Sequence, residues 1–174
     1  MQTAGVEATR SQMTQSAGRE GKYLTFSLGG EEYGLEILKV KEIIGIMNIT
    51  SVPQMPHYVK GVINLRGKVI PVIDLRLKFG MEAFQYNERT CIIVVDIVSA
   101  SAGNKIIMGI VVDCVSEVLN IKNEEIEDAP AFGTRLDTDY ILGMAKLKGN
   151  VKILLDIDKV LTSEEVDMTS KMAH

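Results

Sequence analysis

Two stretches of this chain repeat one another, and this repeat constrains the fold more than any other feature. Tyr58–Asp74 reads YVKGVINLRGKVIPVID and Tyr140–Asp156 reads YILGMAKLKGNVKILLD, and they align without a gap at an offset of 82 residues. The identical pairs are Tyr58/Tyr140, Gly61/Gly143, Leu65/Leu147, Gly67/Gly149, Val69/Val151 and Asp74/Asp156. Upstream, Tyr33–Ile44 resembles Met108–Leu119 at an offset of 75, so the second copy carries a seven-residue insertion within Asn120–Asp139. Chance similarity among Val-rich and Gly-rich strands is the alternative; a duplicated structural unit is the interpretation that we adopt.

The composition indicates that the repeated unit consists of β-strands. Val and Ile together number 36 against 14 Leu, and β-branched side chains favour strands over helices. Strands are predicted at Lys22–Leu28, Glu31–Ile37, Val59–Asn64, Lys68–Asp74, Thr90–Val98, Lys105–Val112, Ile141–Leu147 and Val151–Ile157. Leu38–Ile44 fits either a helical turn or a strand, and Asp158–Glu165 fits a short C-terminal helix. The sequence therefore predicts an all-β protein of two similar β-barrels, each with about five strands.

We expect one folded domain between two tails. Residues 1–20 and 163–174 carry no motif, and disorder is predicted for both. The domain, residues 21–162, would contain two intertwined barrel subdomains at roughly 21–85 and 86–162. A groove between the two lobes would be a natural place for a partner.

Charge and composition disfavour several classes of function. The formal net charge is −4, aromatic residues make up 5% and Trp is absent, so binding to nucleic acid or to an anionic membrane is disfavoured. No apolar run approaches the roughly 20 residues of a membrane span, and the first residues do not read as a signal peptide. Cys91 and Cys114 lie inside apolar runs, which favours buried free thiols in a reducing cytosol. These features predict a cytoplasmic protein.

The search for catalytic residues yields no assembled set. His57 lies in a Pro-rich loop and is expected to be a loop or partly buried histidine, and His174 is the last residue. No Ser occupies a nucleophile turn, no Cys/His spacing fits zinc, and no nucleotide-binding Gly-rich loop is present. Asp74 and Asp156 are repeat equivalents that we expect to cap turns or to pair with a basic neighbour such as Arg76. A binding module therefore outranks an enzyme, with no cofactor or metal expected; the alternative is a small β-barrel ligand-binding protein or hydrolase that uses Asp74 and His57.

Positions where the copies differ are candidates for function. The first copy presents Arg66 beside Gly67, whereas the second has Lys148 beside Gly149. Arg offers a planar fork of donors and is enriched at interface hot spots, so Arg66 is either a partner anchor or a solvated turn residue. Glu42 and Ile43 would form a mixed charged and apolar patch if they are exposed.

Three strings carry a resemblance to a known family: EEYGLEILKVKEIIG, VPQMPHYVKGVINLRGKVIPVIDLRLKFG and MGIVVDCVSEVLNI. Across Lys22–Leu161 the chain resembles the CheW-like family of bacterial chemotaxis coupling proteins. The resemblance implies two five-stranded SH3-like barrels without enzymatic activity. It also implies a scaffold that joins the cytoplasmic tip of transmembrane, methyl-accepting chemoreceptors to the CheA-type chemotaxis histidine kinase, at membrane-associated receptor arrays.

The resemblance also implies particular contacts. The receptor tip would bind at the groove and the first-barrel surface and, by motif position, this contact would include Val40, Glu42, Ile43, Arg66 and Gly67. The kinase's homologous regulatory domain would dock barrel to barrel, mainly through the second lobe, and no individual kinase-contact residues are implied.

Overall fold

The computed structural model describes residues 19–98, 103, 105–129 and 139–172. The strands of this part of the chain are β1 (Gly21–Leu28), β2 (Glu31–Glu36), β3 (Val40–Gly45), β4 (Val59–Leu65), β5 (Lys68–Asp74), β6 (Cys91–Val98), β7 (Lys105–Val112), β8 (Cys114–Ile121), β9 (Ile126–Glu127), β10 (Ile141–Leu147) and β11 (Asn150–Leu155). The short α-helices are α1 (Leu75–Lys78), α2 (Ile157–Val160) and α3 (Ser163–Ser170). Single turns of 3₁₀-helix occur at Ile37–Lys39 and Asn123–Glu125. No helix in the described residues is long and apolar enough to cross a membrane.

The strands form two sheets, which confirms the predicted all-β fold of two subdomains. Lobe 1 is the five-stranded sheet in the order β3-β6-β7-β5-β4, and lobe 2 is the six-stranded sheet in the order β8-β1-β2-β11-β10-β9. The sixth strand of lobe 2 is only two residues long. Leu38–Ile44, which fitted either helix or strand, contains the end of a 3₁₀ turn and then most of β3.

Each lobe is assembled from both sequence repeats. Lobe 1 takes β3, β4 and β5 from the first repeat but the β6–β7 hairpin from the second, whereas lobe 2 takes the β1–β2 hairpin from the first repeat. The borrowed hairpins are joined by the two parallel pairings, β5 with β7 and β11 with β2. The expected boundary near 85/86 therefore separates the two repeats, whereas each sheet takes strands from both sides of it.

In each lobe, one glycine lets a neighbouring segment of the chain pass close to a hairpin strand, and the two glycines occupy equivalent positions of the repeat. In lobe 1 the segment after β3 bridges β4 at Thr50 and Val62, and a Cβ at Gly61 would lie 1.9 Å from the Thr50 carbonyl oxygen. In lobe 2, β9 pairs with β10, and a Cβ at Gly143 would lie 2.9 Å from the Glu127 carbonyl oxygen. These two repeat-equivalent glycines are therefore required by close backbone approach.

The hydrophobic core has one shared part and one smaller part in each lobe. The shared core joins side chains of both sheets, including Phe26 and Leu35 from lobe 2 and Ile93 and Ile110 from lobe 1. Lobe 1 has its own cluster of Ile63, Ile70, Val72, Ile92, Val94 and Val111. Lobe 2 has its own cluster of Tyr23, Ile121, Ile126, Ala145 and Leu154. The lobes are thus held together by burial of apolar surface rather than by a flexible linker.

The C-terminal segment differs from the prediction of disorder. Helix α3 begins after Thr162, whose side chain accepts a hydrogen bond from the Glu165 backbone while Glu165 bonds back to the Thr162 N–H. Val166 and Met172 are buried in the shared core, and Glu165 pairs with Lys78 of α1 at 2.8 Å. A capping box and two apolar anchors are enough to order this segment through residue 172.

The N-terminal prediction concerned residues 1–20, of which residues 1–18 lie outside the described part of the chain. Arg19 forms an ion pair with Asp128 at 2.6 Å, and Glu20 accepts a hydrogen bond from the Asn123 backbone at 3.0 Å. These last two residues of the predicted tail are therefore tied to lobe 2.

Candidate binding surface

The turn between β4 and β5 presents Arg66 and Gly67 at the end of lobe 1. Both residues have positive φ, 53° for Arg66 and 86° for Gly67, as a two-residue hairpin turn requires. The Gly67 N–H donates to Asn64 Oδ1 at 2.8 Å, which fixes the turn. The Arg66 side chain is 71% exposed. The hairpin therefore holds a guanidinium in solvent on a rigid two-residue support.

The Arg66 guanidinium bonds to Glu42 of β3, 24 residues earlier in the chain. Its Nη2 donates to Glu42 Oε1, and the Glu42 side chain is 31% exposed. The hydrogen bond and the charge of Glu42 raise the pKa of Arg66. Ion pairs at such exposure contribute little to stability, so the pair matters mainly because it orients the donor fork.

The other two predicted contact residues, Val40 and Ile43, also lie on β3, but one packs against the core and the other is exposed. β3 is the terminal strand of its sheet, and its side chains alternate between half-buried and exposed. Ile43 is 42% exposed, on the face opposite Glu42, and Val40 packs partly buried against the shared core. The structure thus joins Glu42 to Arg66 directly, with Gly67 next to Arg66 in the turn and with Val40 and Ile43 along the edge strand.

The same framework recurs in lobe 2 with different side chains. Lys148 and Gly149 have φ values of 49° and 82°, so the positive φ of Arg66 belongs to the hairpin and is not itself a sign of function. Glu117 and Val118 of β8 are the repeat equivalents of Glu42 and Ile43, and Val118 is 49% exposed. Lobe 2 is therefore an internal control for any role assigned to lobe 1.

The residues considered for catalysis have other contacts. Asp74 is 2% exposed; its Oδ1 accepts from the Leu77 N–H at 3.3 Å and its Oδ2 from the Tyr86 hydroxyl at 2.6 Å. Burial, with Asp74 nearby, raises the pKa of Tyr86. His57 is exposed and its ring packs edge-on against Tyr58 at 5.8 Å. Asp74 therefore serves as a helix cap, which agrees with the structural expectation.

Asp156 repeats the capping role at the start of α2. Its Oδ1 accepts from the Asp158 N–H at 3.1 Å, while burial and then the neighbouring Asp158 raise its pKa. The two aspartates also hold the same backbone contact, since Asp74 N–H donates to the Tyr58 carbonyl and Asp156 N–H to the Tyr140 carbonyl, both at 2.8 Å. The repeat read from the sequence thus extends to individual hydrogen bonds.

Sequence reasoning missed the partner of Arg76. Asp74 adopts the first of its two expected roles, the cap, and Arg76 Nη1 donates to Asp113 Oδ2 at 2.9 Å, where the Gly29 N–H donates to the same oxygen at 2.9 Å. The guanidinium also stacks over the Phe84 ring at 4.5 Å. Arg76 therefore fastens the β1–β2 turn of lobe 2 to helix α1.

The two cysteines are free, as expected, but half-buried rather than buried. Cys91 Sγ lies 3.3 Å from the Arg89 carbonyl oxygen, to which it donates a weak hydrogen bond.

A two-lobed β scaffold with a charged and apolar edge strand defines a protein-binding module. Residues 22–165 match the CheW-like domain. The chain is 41% identical over 170 residues to chemotaxis protein CheW of Klebsiella aerogenes, covering 98% of both chains. It is 35% identical over 144 residues to chemotaxis protein CheW of Bacillus subtilis, covering 82% of this chain and 88% of the relative.

A solved structure agrees with these matches. The crystal structure of the scaffolding protein CheW from Thermoanaerobacter tengcongensis superposes with a TM-score of 0.72 at 36% identity, covering 84% of this chain and 97% of that one. This chain therefore belongs to the CheW-like family. Its role is that of a coupling and scaffold protein in chemotaxis.

Proposed function

We propose that this protein joins the cytoplasmic tip of a transmembrane chemoreceptor to the chemotaxis histidine kinase, and that it does so by binding alone, without catalysis. The observation that carries the proposal is the exposed Arg66–Glu42 pair beside the edge strand β3. A terminal strand can be contacted from both faces and along its open edge. A receptor tip that docks there would reach Arg66 and Glu42 on one side and Ile43 on the other.

The second partner is the kinase's homologous regulatory domain, which we place mainly on lobe 2. Coupling then follows if the receptor tip binds this protein differently in its two signalling states, because a ligand shifts an equilibrium only through differential affinity. The shared apolar core between the lobes supports transmission between the two contacts, because it holds them in a fixed relation. Such a protein would work in the cytoplasm, at receptor arrays.

The receptor contact is tested by substitution at one hairpin and at its repeat equivalent. We expect Arg66→Ala to weaken binding of a purified receptor-tip fragment by more than about 1 kcal/mol, as truncation of an interface anchor does. Arg66→Asp should weaken it further, because it places a second carboxylate against Glu42. The measurement is surface plasmon resonance with the full-length protein.

Lys148→Ala and Lys148→Asp are the matched controls, since Lys148 occupies the same turn position with nearly the same φ. They should leave receptor-tip affinity unchanged. Equal losses at Arg66 and Lys148, or no loss at Arg66, would remove the lobe 1 hairpin from the receptor contact. Reconstituted receptor, kinase and this protein, assayed for receptor-dependent kinase activity, test the coupling role itself.

A further inference from the structure

A small concavity lies under the Arg66–Glu42 pair. Its volume is about 310 Å³, and its apolar lining comes from Leu65, Ile70, Val94 and Ile107. Ile70 and Val94 are each 1% exposed and Ile107 is partly exposed. An α-helix with side chains is about 10–12 Å in diameter, so the concavity is too small to enclose a helix and suits a side chain that projects from one.

The equivalent position in lobe 2 is polar. By the repeat register, Ile70 corresponds to Lys152 and Ile107 to Glu32. Val94 corresponds to Thr25, because each pairs with the equivalent glycine, Gly109 or Gly34. Lys152 forms an ion pair with Glu32, and the Thr25 hydroxyl donates to the Glu117 carbonyl at 2.8 Å. Three lining positions are thus apolar in lobe 1 and polar in lobe 2.

This difference is not required by the fold, because lobe 2 keeps the same strands with the polar set. Ile70 and Val94 are already buried, whereas Leu65 and Ile107 keep part of their apolar surface exposed in the concavity. Because covering that surface is favourable, the lobe 1 set indicates an apolar occupant. The 2-residue turn and the terminal strand around the opening belong to the proposed receptor contact.

The charges at the opening restrict that occupant. Lys41, Arg66 and Lys68 line the concavity together with a single carboxylate, Glu42. Lys41 lies 3.7 Å from Asp96, which partly offsets its charge. The balance at the opening remains cationic and complements an apolar side chain with an acidic neighbour.

We propose that this concavity binds one aliphatic side chain of the receptor tip, on a helix that carries a carboxylate within one turn of it. The inference rests on the proposed function, in that the receptor tip supplies the side chain. The Arg66–Glu42 pair closes one side of the concavity, and the remaining N–H donors of the Arg66 guanidinium bind the carboxylate that flanks the anchor. Specificity for the receptor then resides in Ile70, Val94 and Ile107 as well as in the exposed charges.

The test transfers the lobe 2 ion pair into lobe 1. The double variant Ile70→Lys with Ile107→Glu should fold, since the same two residue types face each other as Lys152 and Glu32 in lobe 2. We expect it to lower affinity for the receptor-tip fragment at least tenfold, and to leave binding of the kinase regulatory domain unchanged. The reciprocal control, Lys152→Ile with Glu32→Ile, should keep receptor-tip affinity.

Circular dichroism and thermal unfolding establish that each variant is folded. Should the double variant not fold, Ile107→Glu alone replaces it, because Ile107 is already partly exposed, and the same loss of affinity is expected. Parental affinity in a folded variant overturns the anchor site. So does a loss of kinase-domain binding with receptor binding intact, which would assign the concavity to the kinase.

The parent protein and Arg66→Ala separate this inference from the proposed function. If Arg66→Ala weakens receptor-tip binding and the Ile70/Ile107 variant does not, the anchor site is overturned and the receptor contact stands. If the parent does not bind the receptor tip at all, the proposed function fails first, and the anchor site fails with it.

Discussion

At the scale of single residues, an aspartate that both repeats share makes different hydrogen bonds in the two lobes. Asp74 and Asp156 both cap a four-residue helix, but only Asp74 also accepts the hydroxyl of Tyr86. Asp156 is in addition held near Asp158 in a half-buried place that raises its pKa. A residue's identity within the repeat therefore does not fix its energetic contribution.

This difference can be measured by alanine substitution. We expect Asp74→Ala to lower the free energy of unfolding by about 2–4 kcal/mol, because it removes a helix cap and leaves the Tyr86 hydroxyl without its acceptor. Asp156→Ala should cost about 1 kcal/mol, because only the cap is lost. Urea denaturation monitored by circular dichroism gives both values. Equal losses would contradict the role assigned to Tyr86, and Tyr86→Phe in the Asp74→Ala background should add little.

At the scale of elements, each lobe depends on a place where one segment crosses another without a side chain between them. Gly61 and Gly143 occupy these places, and both sit at irregularities in hairpin register, between β4 and β5 and between β10 and β11. Gly67 also has positive φ, at 86°, but a Cβ there would meet no atom within 4 Å. On this one hairpin, Gly67 is favoured by its backbone conformation alone, whereas at Gly61 the nearby Thr50 carbonyl also excludes a side chain.

A pair of substitutions exploits that separation. Gly67→Ala should lower the free energy of unfolding by about 1–2 kcal/mol, the cost of a side chain in the left-handed region. Gly61→Ala should cost about 3 kcal/mol or more, because the added methyl group also meets the Thr50 carbonyl and displaces the crossing segment. Thermal and urea unfolding of both variants provide the comparison. Similar losses of unfolding free energy in the two variants would mean that the segment at Thr50 moves aside at little energetic cost.

At the scale of the whole molecule, the exchange of hairpins makes the halves of the chain interdependent. Residues 21–85 contain three strands of lobe 1 and two of lobe 2, and neither set closes its sheet. We expect fragments 1–85 and 86–174 to be unfolded when purified separately and to form a folded 1:1 complex when mixed. Size-exclusion chromatography and circular dichroism follow the assembly. Cooperative thermal unfolding of either fragment alone would contradict this expectation.

Many of the strands were predictable from the sequence, and there are physical reasons why the other elements were not. Strand Lys68–Asp74 was predicted with its observed bounds because Gly67 and the helix cap at Asp74 punctuate it. Strand β8 was overlooked because half of its side chains are exposed and only Ile121 is buried. Only its alignment with β3 could have revealed it. The capping box Thr162–Glu165 was a readable signal for α3, but its few apolar residues suggested a tail.

The binding surface was predictable in part. Arg66 and Glu42 were selected separately, yet their ion pair joins positions 24 residues apart, the β4–β5 turn and β3, and β3 is not a neighbour of β4 or β5 in the sheet. The exchange of hairpins was hidden for a related reason, because β2 pairs with β11 across most of the chain. Local patterns report strands and turns, whereas such distant pairings depend on how the finished sheets share a core.

The crossed hairpins also bear on how such a fold could have begun. A peptide with a single repeat holds a hairpin and three further strands, but in this arrangement each group completes the sheet of the other repeat. Two identical peptides could satisfy one another reciprocally, as a symmetric homodimer related by a twofold axis. Gene duplication and fusion would then convert that dimer into one polypeptide, and from that moment each half could acquire its own surface.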